Sequence, residues 1–268
     1  MKQDSKKSKS WLKEITVSLP HIDQILARVS TDILVIGAGV FGLYEAQNWI
    51  QPLKRRTGDL DLSIGLVHGK KDYDRIKEDL LRNKYTQRSR EPGYRYFSPV
   101  LIPNHPSYID LLAHPNSKKI SKSEAARVMG AGSEFSFDAM DFALQECFEI
   151  IPKIHYPNPI GFMALKRTSY LDDPTRRIKD LADILELTYG LVQKGKHFDL
   201  SDLWKKLCLS TDAKNVQLML RELGSQESAK WDIQDARQEL LSRSFSIQEI
   251  DETIPSSLLD FVANLIKE

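Results

Sequence analysis

The chain has 268 residues, with 38 Lys/Arg against 37 Asp/Glu, 41% hydrophobic and 28% charged content, and a mean hydropathy of -0.38. This composition excludes a disordered or collagen-like chain and supplies enough apolar residues for one large or two modest domains. No apolar run approaches the roughly 18–20 residues of a membrane span, and the basic start MKQDSKKSKS lacks the apolar stretch of a secretory signal, so a cytoplasmic protein without membrane contact is expected.

The first dozen residues are polar and lysine-rich, and residues 1–17 are expected to form a basic N-terminal tail. A helix is expected from Ser18, which can cap it, with Pro20 near its start and Ile22, Ile25, Leu26 and Val29 at helical spacing. Asp32-Ile-Leu-Val-Ile36 is a short apolar run of the buried-strand type, and it ends abruptly in Gly37-Ala38-Gly39. Residues 40–50 are helix-compatible, and Pro52 closes them. From Arg56 to Val67 polar and apolar residues alternate. The period of a strand then puts Asp59, Asp61 and Ser63 on one face and Leu60, Leu62 and Ile64 on the other.

A helix is expected over 72–83, then strands over 94–102 and 107–112, with a turn at Pro103-Asn-His-Pro106 and Asp110 inside the second strand. A helix near 123–129 is followed by a mixed region to Ile154. From Asn158 the pattern is helical, with helices over 162–170 and 176–192 and three or four more over 199–267. The expected fold is α+β: a small mixed sheet with flanking helices over 18–155, followed by an all-helical domain over 156–268. Cys147 and Cys208 are far apart and form no Cys-x-x-Cys pair, which argues against a disulfide framework or a zinc knuckle.

The balanced charge hides a gradient. Residues 196–268 hold nine Lys/Arg against thirteen Asp/Glu, a net -4, which leaves +5 of the formal +1 total on residues 1–195. The first two thirds should therefore attract anions. The basic run from Arg88 to Arg95, interleaved with Tyr85, Tyr94 and Tyr96, is read as a solvated loop beside the sheet, with contact to nucleic acid or triphosphate as the functional alternative.

Two functional readings compete for the glycine turn. Gly37-Ala-Gly39-Val-Phe-Gly42 matches the G-x-G-x-x-G of a dinucleotide-binding turn, which would make the protein a Rossmann-type oxidoreductase. That fingerprint expects an acidic residue at the far end of the second strand, where this chain has His68-Gly-Lys-Lys71. The second reading starts from the carboxylates. Asp59 and Asp61 share a strand face, and Asp110 on a neighbouring strand can complete a cluster whose mutual repulsion calls for a divalent cation. Two magnesium ions held in this way suit nucleotidyl transfer, and the glycine turn ahead of them would bind triphosphate oxygens through its backbone amides. A third reading is a nucleotide-binding module without turnover.

The strand ending in Ile36-Gly37-Ala38-Gly39, the helix after it and the following Arg56-Thr57-Gly58-Asp59-Leu60-Asp61-Leu62 resemble the nucleotidyltransferase superfamily of DNA polymerase β. The T-x-D-[IL]-D-L form is similar to the AbiEii-like nucleotidyltransferase toxins of abortive-infection and type IV toxin-antitoxin systems. Their later lysine and [RK]-D pair would correspond to Ala164-Leu-Lys166 and to Lys179-Asp180 with Asp183 nearby. The resemblance covers about residues 30–190 and implies a magnesium-dependent enzyme that moves NMP from an NTP to an acceptor hydroxyl on RNA, tRNA or protein, with a cognate antitoxin as partner. It implies catalytic roles for Asp59, Asp61, Asp110, Lys166 and Asp180, metal binding by the first three, and nucleotide binding by Gly37, Ala38, Gly39 and Arg56. Where the family turn continues with a second glycine or a serine, this chain has Ala38, which removes a side-chain contact to phosphate.

Overall fold

A computed structural model of the chain describes residues 3–51, 57–114, 140–145, 147–172, 178–194, 235–236 and 238–243. Arg56, the helix expected near 123–129 and most of the C-terminal helical region lie outside the described residues. The described residues fall into two compact units, one within Lys2–Gln47 and Arg56–Asn158, the other within Asn48–Arg55 and Pro159–Glu268.

The first unit runs α1 (Ser5–Ile15), α2 (Ile22–Leu26), β1 (Ile33–Ile36), a 3₁₀ turn (Gly37–Gly39), α3 (Val40–Ala46), β2 (Asp59–Gly65), α4 (Leu66–Arg82), β3 (Arg95–Phe97), β4 (Tyr108–His114), α5 (Met140–Gln145), β5 (Cys147–Ile151) and β6 (Ile154–Pro157). Its six strands form one mixed sheet in the order β3-β4-β2-β1-β6-β5. β1 pairs antiparallel with β2 and parallel with β6, while β2 pairs parallel with β4. The edge strands β3 and β5 run antiparallel to β4 and β6. A dinucleotide-binding βαβ unit needs parallel strands on either side of its glycine turn, and here those strands are antiparallel.

Burial follows the alternation in the sequence. Leu60, Leu62 and Ile64 of β2 stand in register with Ile109, Leu111 and Ala113 of β4, and all six are buried on the face opposite to Asp59 and Asp61. α4 packs on both strands, and its Tyr73 hydroxyl donates to the Leu111 carbonyl at 3.1 Å. This helix begins at Leu66, directly after the strand, rather than near 72. Asp72 on α4 anchors the start of β1: its Oδ2 accepts from the amides and hydroxyls of Ser30 and Thr31 at 2.7–2.9 Å. Burial alone would raise the pKa of this carboxyl, but the Thr31 and Ser30 donors outweigh it and hold the group below its ordinary 3.8.

The N-terminal segment is not a tail. Asp4 caps α1 by accepting from the Lys6 amide at 3.0 Å, and Trp11, Leu12 and Ile15 are buried where the helix packs on α3 and β5. The lysines that read as a solvated tail are the outer face of an amphipathic helix: Lys6, Lys7, Lys9 and Lys13 are all exposed. The third glycine of the G-x-G-x-x-G pattern belongs to this packing, because a Cβ on Gly42 would lie 2.6 Å from the Trp11 Nε1. The helix expected from Ser18 starts instead at Ile22. Leu19 still donates to the Ile15 carbonyl at 2.8 Å as the chain turns off α1, and His21 takes a left-handed φ of 66° ahead of the first helical residue.

The strand expected over 94–102 is confined to Arg95–Phe97, since Ser98 turns to bond the Ser107 carbonyl at 2.8 Å and Pro99 has no amide to continue a ladder. β6 extends to Pro157, two residues past the expected boundary at 155. The second unit contains α6 (Pro159–Asp172) and α7 (Ile178–Gln193), which pack on each other. Leu181, Ala182, Ile184 and Leu185 of α7 share a buried cluster with Ala236 and Leu240. Among the described residues no helix is long and apolar enough to cross a membrane.

Truncation of Trp11 to Ala should destabilise the protein by about 3 kcal/mol in urea unfolding, as expected of a core aromatic and not of a tail residue. The depressed Asp72 carboxyl contributes stability that is fully present above pH 3.8 and lost as pH falls through its lower folded value. Asp72→Asn should therefore flatten the acid limb of a pH titration of melting temperature.

Candidate active site

Strand pairing assembles the carboxylates in two cross-strand rows. Asp61 of β2 stands opposite Asp110 of β4 and, on its other side, opposite Ile36 at the end of β1. Asp59 stands opposite Tyr108 in the next row on the same face. One oxygen from each of Asp59, Asp61 and Asp110 lies within 4.8 Å of the other two. The three expected site carboxylates are thus brought together, with Asp59 and Asp61 part-exposed and Asp110 buried.

The glycine turn lies directly against this cluster. Gly37 has a φ of 68°, and a Cβ added there would fall 1.8 Å from the Asp61 Oδ2, so both backbone conformation and space require glycine. Ala38 and Gly39 complete the 3₁₀ turn. A Cβ on Gly39 would meet the Asp59 carbonyl at an ordinary 3.7 Å. Asp59 is oriented by its neighbours: the Thr57 hydroxyl donates to Oδ1, and the Tyr108 hydroxyl donates to Oδ2 at 3.4 Å. Burial, reinforced by the charge of Asp59, pushes the Tyr108 phenol up to about 12.

A residue read from sequence as part of a solvated loop turns out to face this site. Arg95 is the β3 partner of Asp110, and its Nε and Nη2 donate to Oδ1 and Oδ2 of that carboxylate, each at 2.8 Å. The same guanidinium reaches Glu91 Oε2 at 3.2 Å and lies 4.2 Å from the Tyr108 ring centroid. Arg88 stacks on the neighbouring Phe97 at 3.7 Å. Burial is the main force on Asp110 and raises its pKa above the ordinary 3.8 even though Arg95 opposes the shift. The basic run from Arg88 to Arg95 offers triphosphate contact as an alternative to a solvated loop, but nothing local pairs Arg95 with Asp110. The position of Arg95 depends on the register of β3 against β4, fixed by the loop between them.

Three carboxylates converging on one point form a hard oxygen donor set, which fits magnesium or another divalent cation of that kind. Lys166 and Asp180 lie in the other unit, inside a buried network. The Lys166 ammonium sits 2.7 Å from Asp180 Oδ1 and 2.7 Å from Asp183 Oδ2, and Ser169 donates to Asp180 Oδ2 at 3.0 Å. Arg243 closes the network, reaching Asp183 at 2.7 Å, Glu186 at 3.0 Å and Glu239 at 3.2 Å, with a bond to the Lys179 carbonyl at 3.2 Å. Among the described residues, Lys166 on the adjacent helix thus pairs with both Asp180 and Asp183, and Asp183 also meets Arg243, sixty positions away. Burial works to raise Asp183, but the charges of Lys166 and Arg243 prevail and hold it below 3.8, while those of Asp183 and Asp180 push Lys166 up.

Comparison of the chain with protein-family models, curated proteins and solved structures finds no match.

Gly37→Ala should cost about 1–2 kcal/mol from the left-handed backbone alone, and the clash should displace Asp61, so that manganese affinity measured by calorimetry falls along with the melting temperature. Asp183→Asn leaves Lys166 and Arg243 undercompensated and should destabilise by about 3–5 kcal/mol in chemical denaturation.

Proposed function

We propose that the chain is a magnesium-dependent nucleotidyltransferase that transfers NMP from an NTP to an acceptor hydroxyl. The observation that carries this reading is the apposition of Gly37 to Asp61 within a cluster of three carboxylates. A turn with little side-chain bulk lets phosphate oxygens approach the backbone beside oxygen ligands suited to a divalent cation. The resemblance of Ile36–Gly39 and Thr57–Leu62 to the DNA polymerase β superfamily supports it, as does a sheet whose β1 and β2 run antiparallel, unlike those of an oxidoreductase built on the same glycine pattern.

In this reading Asp59, Asp61 and Asp110 hold the metal, with Asp59 oriented by Thr57 and Tyr108. Magnesium, when bound, would neutralise charge on the attacking and leaving oxygens. The turn Gly37–Gly39 aligns the triphosphate through its backbone, the acceptor oxygen attacks the α-phosphorus, and pyrophosphate leaves on the opposite side. Catalysis then rests on positioning and electrostatics, without a covalent enzyme intermediate. The acceptor is an RNA or tRNA end or a protein hydroxyl, and the resemblance to AbiEii-like toxins adds growth inhibition relieved by a cognate antitoxin. The same resemblance assigns Lys166 to phosphate binding and Asp180 to an active-site carboxylate.

Incubation with each α-labelled NTP, magnesium and total RNA or cell protein should label an acceptor and release pyrophosphate. Asp59→Ala and Asp61→Ala should each lower that rate by at least about 10²–10³-fold, the scale of losing one preorganised charge-stabilising group. Equal labelling by wild type and both variants would sink the reading.

A further inference from the structure

We propose that Arg95 is a stand-in cation for the metal centre: it pairs with Asp110 while the metal is absent and passes to a phosphate of the incoming nucleotide when the metal binds, coupling the two binding events. The inference rests on the nucleotidyltransferase reading above and assigns a role to a residue that the reading leaves out.

Asp110 is the most buried of the three carboxylates, and both of its oxygens receive a guanidinium N–H at 2.8 Å. A bidentate pair of this geometry is among the stronger polar contacts a protein makes, and it places a fixed positive charge on the carboxylate that a divalent cation would share. Two cations on one carboxylate repel each other, so a metal drawn to the Asp59, Asp61 and Asp110 oxygens favours departure of the guanidinium. The pair can open toward solvent, because the Arg95 side chain is 23% exposed while that of Asp110 is 8% exposed.

Once released, the guanidinium is not lost to bulk water. Glu91 Oε2 lies 3.2 Å from its Nη1 and the Tyr108 ring face lies 4.2 Å away, and neither contact involves Asp110. Both keep it at the rim of the cluster. Its planar fork of donors matches two oxygens of a phosphate as well as it matches a carboxylate. The metal therefore supplies Asp110 with the charge that Arg95 withdraws, and the phosphate supplies Arg95 with the partner that Asp110 gives up. Metal alone and triphosphate alone should each bind weakly, and together they should bind well.

Calorimetry on the full chain with manganese alone, and with manganese-saturated inorganic triphosphate, tests this for wild type, Arg95→Gln and Asp61→Asn. Arg95→Gln should bind manganese alone about tenfold more tightly and manganese triphosphate about tenfold more weakly, the scale of one charge-assisted hydrogen-bonded contact. Manganese binding that Asp61→Asn abolishes but Arg95→Gln leaves unchanged or weakens would overturn the role of Arg95 and leave the metal centre standing. No manganese binding by wild type and Arg95→Gln alike would overturn both. A second measurement needs no altered fold: the Arg95 Nε–H signal in a proton–nitrogen spectrum, identified by its loss in Arg95→Lys, should move when magnesium saturates the wild-type protein, and a stationary signal overturns the proposal.

Discussion

The first unit is organised around a like-charge contact. Parallel pairing of β2 with β4 sets Asp61 directly beside Asp110, with Asp59 one row away. At an effective dielectric of about 20, two unit charges about 5 Å apart repel by about 3–4 kcal/mol. A sheet does not carry that cost without an offset, and the Arg95 guanidinium clamped on Asp110 is the offset the protein supplies itself. The three carboxylates occupy one end of this sheet face: along the same face, the next row holds Leu34, Ser63 and Leu112, all buried.

The arrival of the glycine turn is controlled by how β1 is held. At its start, Asp72 gathers four hydrogen bonds from Ser30 and Thr31, and at its end the backbone of Gly37 rests on the Asp61 carboxylate. α3 leaves the turn and is met by α1, whose Trp11 fills the space that Gly42 leaves open. A stretch of lysines, a glycine and an aromatic fifty residues from Asp61 therefore contribute to where the turn sits, although none of them does chemistry.

The two units treat buried charge in opposite ways. In the second, carboxylates alternate with cations: Asp180 meets Lys166, Lys166 meets Asp183, and Asp183 meets Arg243. Such a closed network, with short distances and satisfied donors, holds α6 and α7 together with the 238–243 segment in one arrangement. In the first unit three carboxylates face one another, and Asp59 and Asp61 remain part-exposed. An alternating network can satisfy itself, whereas a convergent one leaves like charges facing one another.

The sequence by itself determined β1, the glycine turn and β2, and the residue types of the candidate site. The apolar run at Ile33–Ile36 marked a strand buried over Ile33–Val35, the alternation from Asp59 to Ile64 assigned faces to a strand, and the abrupt glycines after Ile36 marked a turn, because local periodicity and backbone freedom are properties of neighbouring residues. The same locality misled at the N-terminus, where the lysines of α1 hid an apolar stripe made only by Trp11, Leu12 and Ile15. Strand register, helix partners and long-range ion pairs were decided by the tertiary structure alone. Whether Asp110 would meet Asp61, and whether Arg95 would meet Asp110, depends on which strands lie side by side and on how the loop from Ser98 to Ser107 sets their offset. A shift of one residue would turn Arg95 to the other face, and nothing within a few residues of Arg95 encodes that choice.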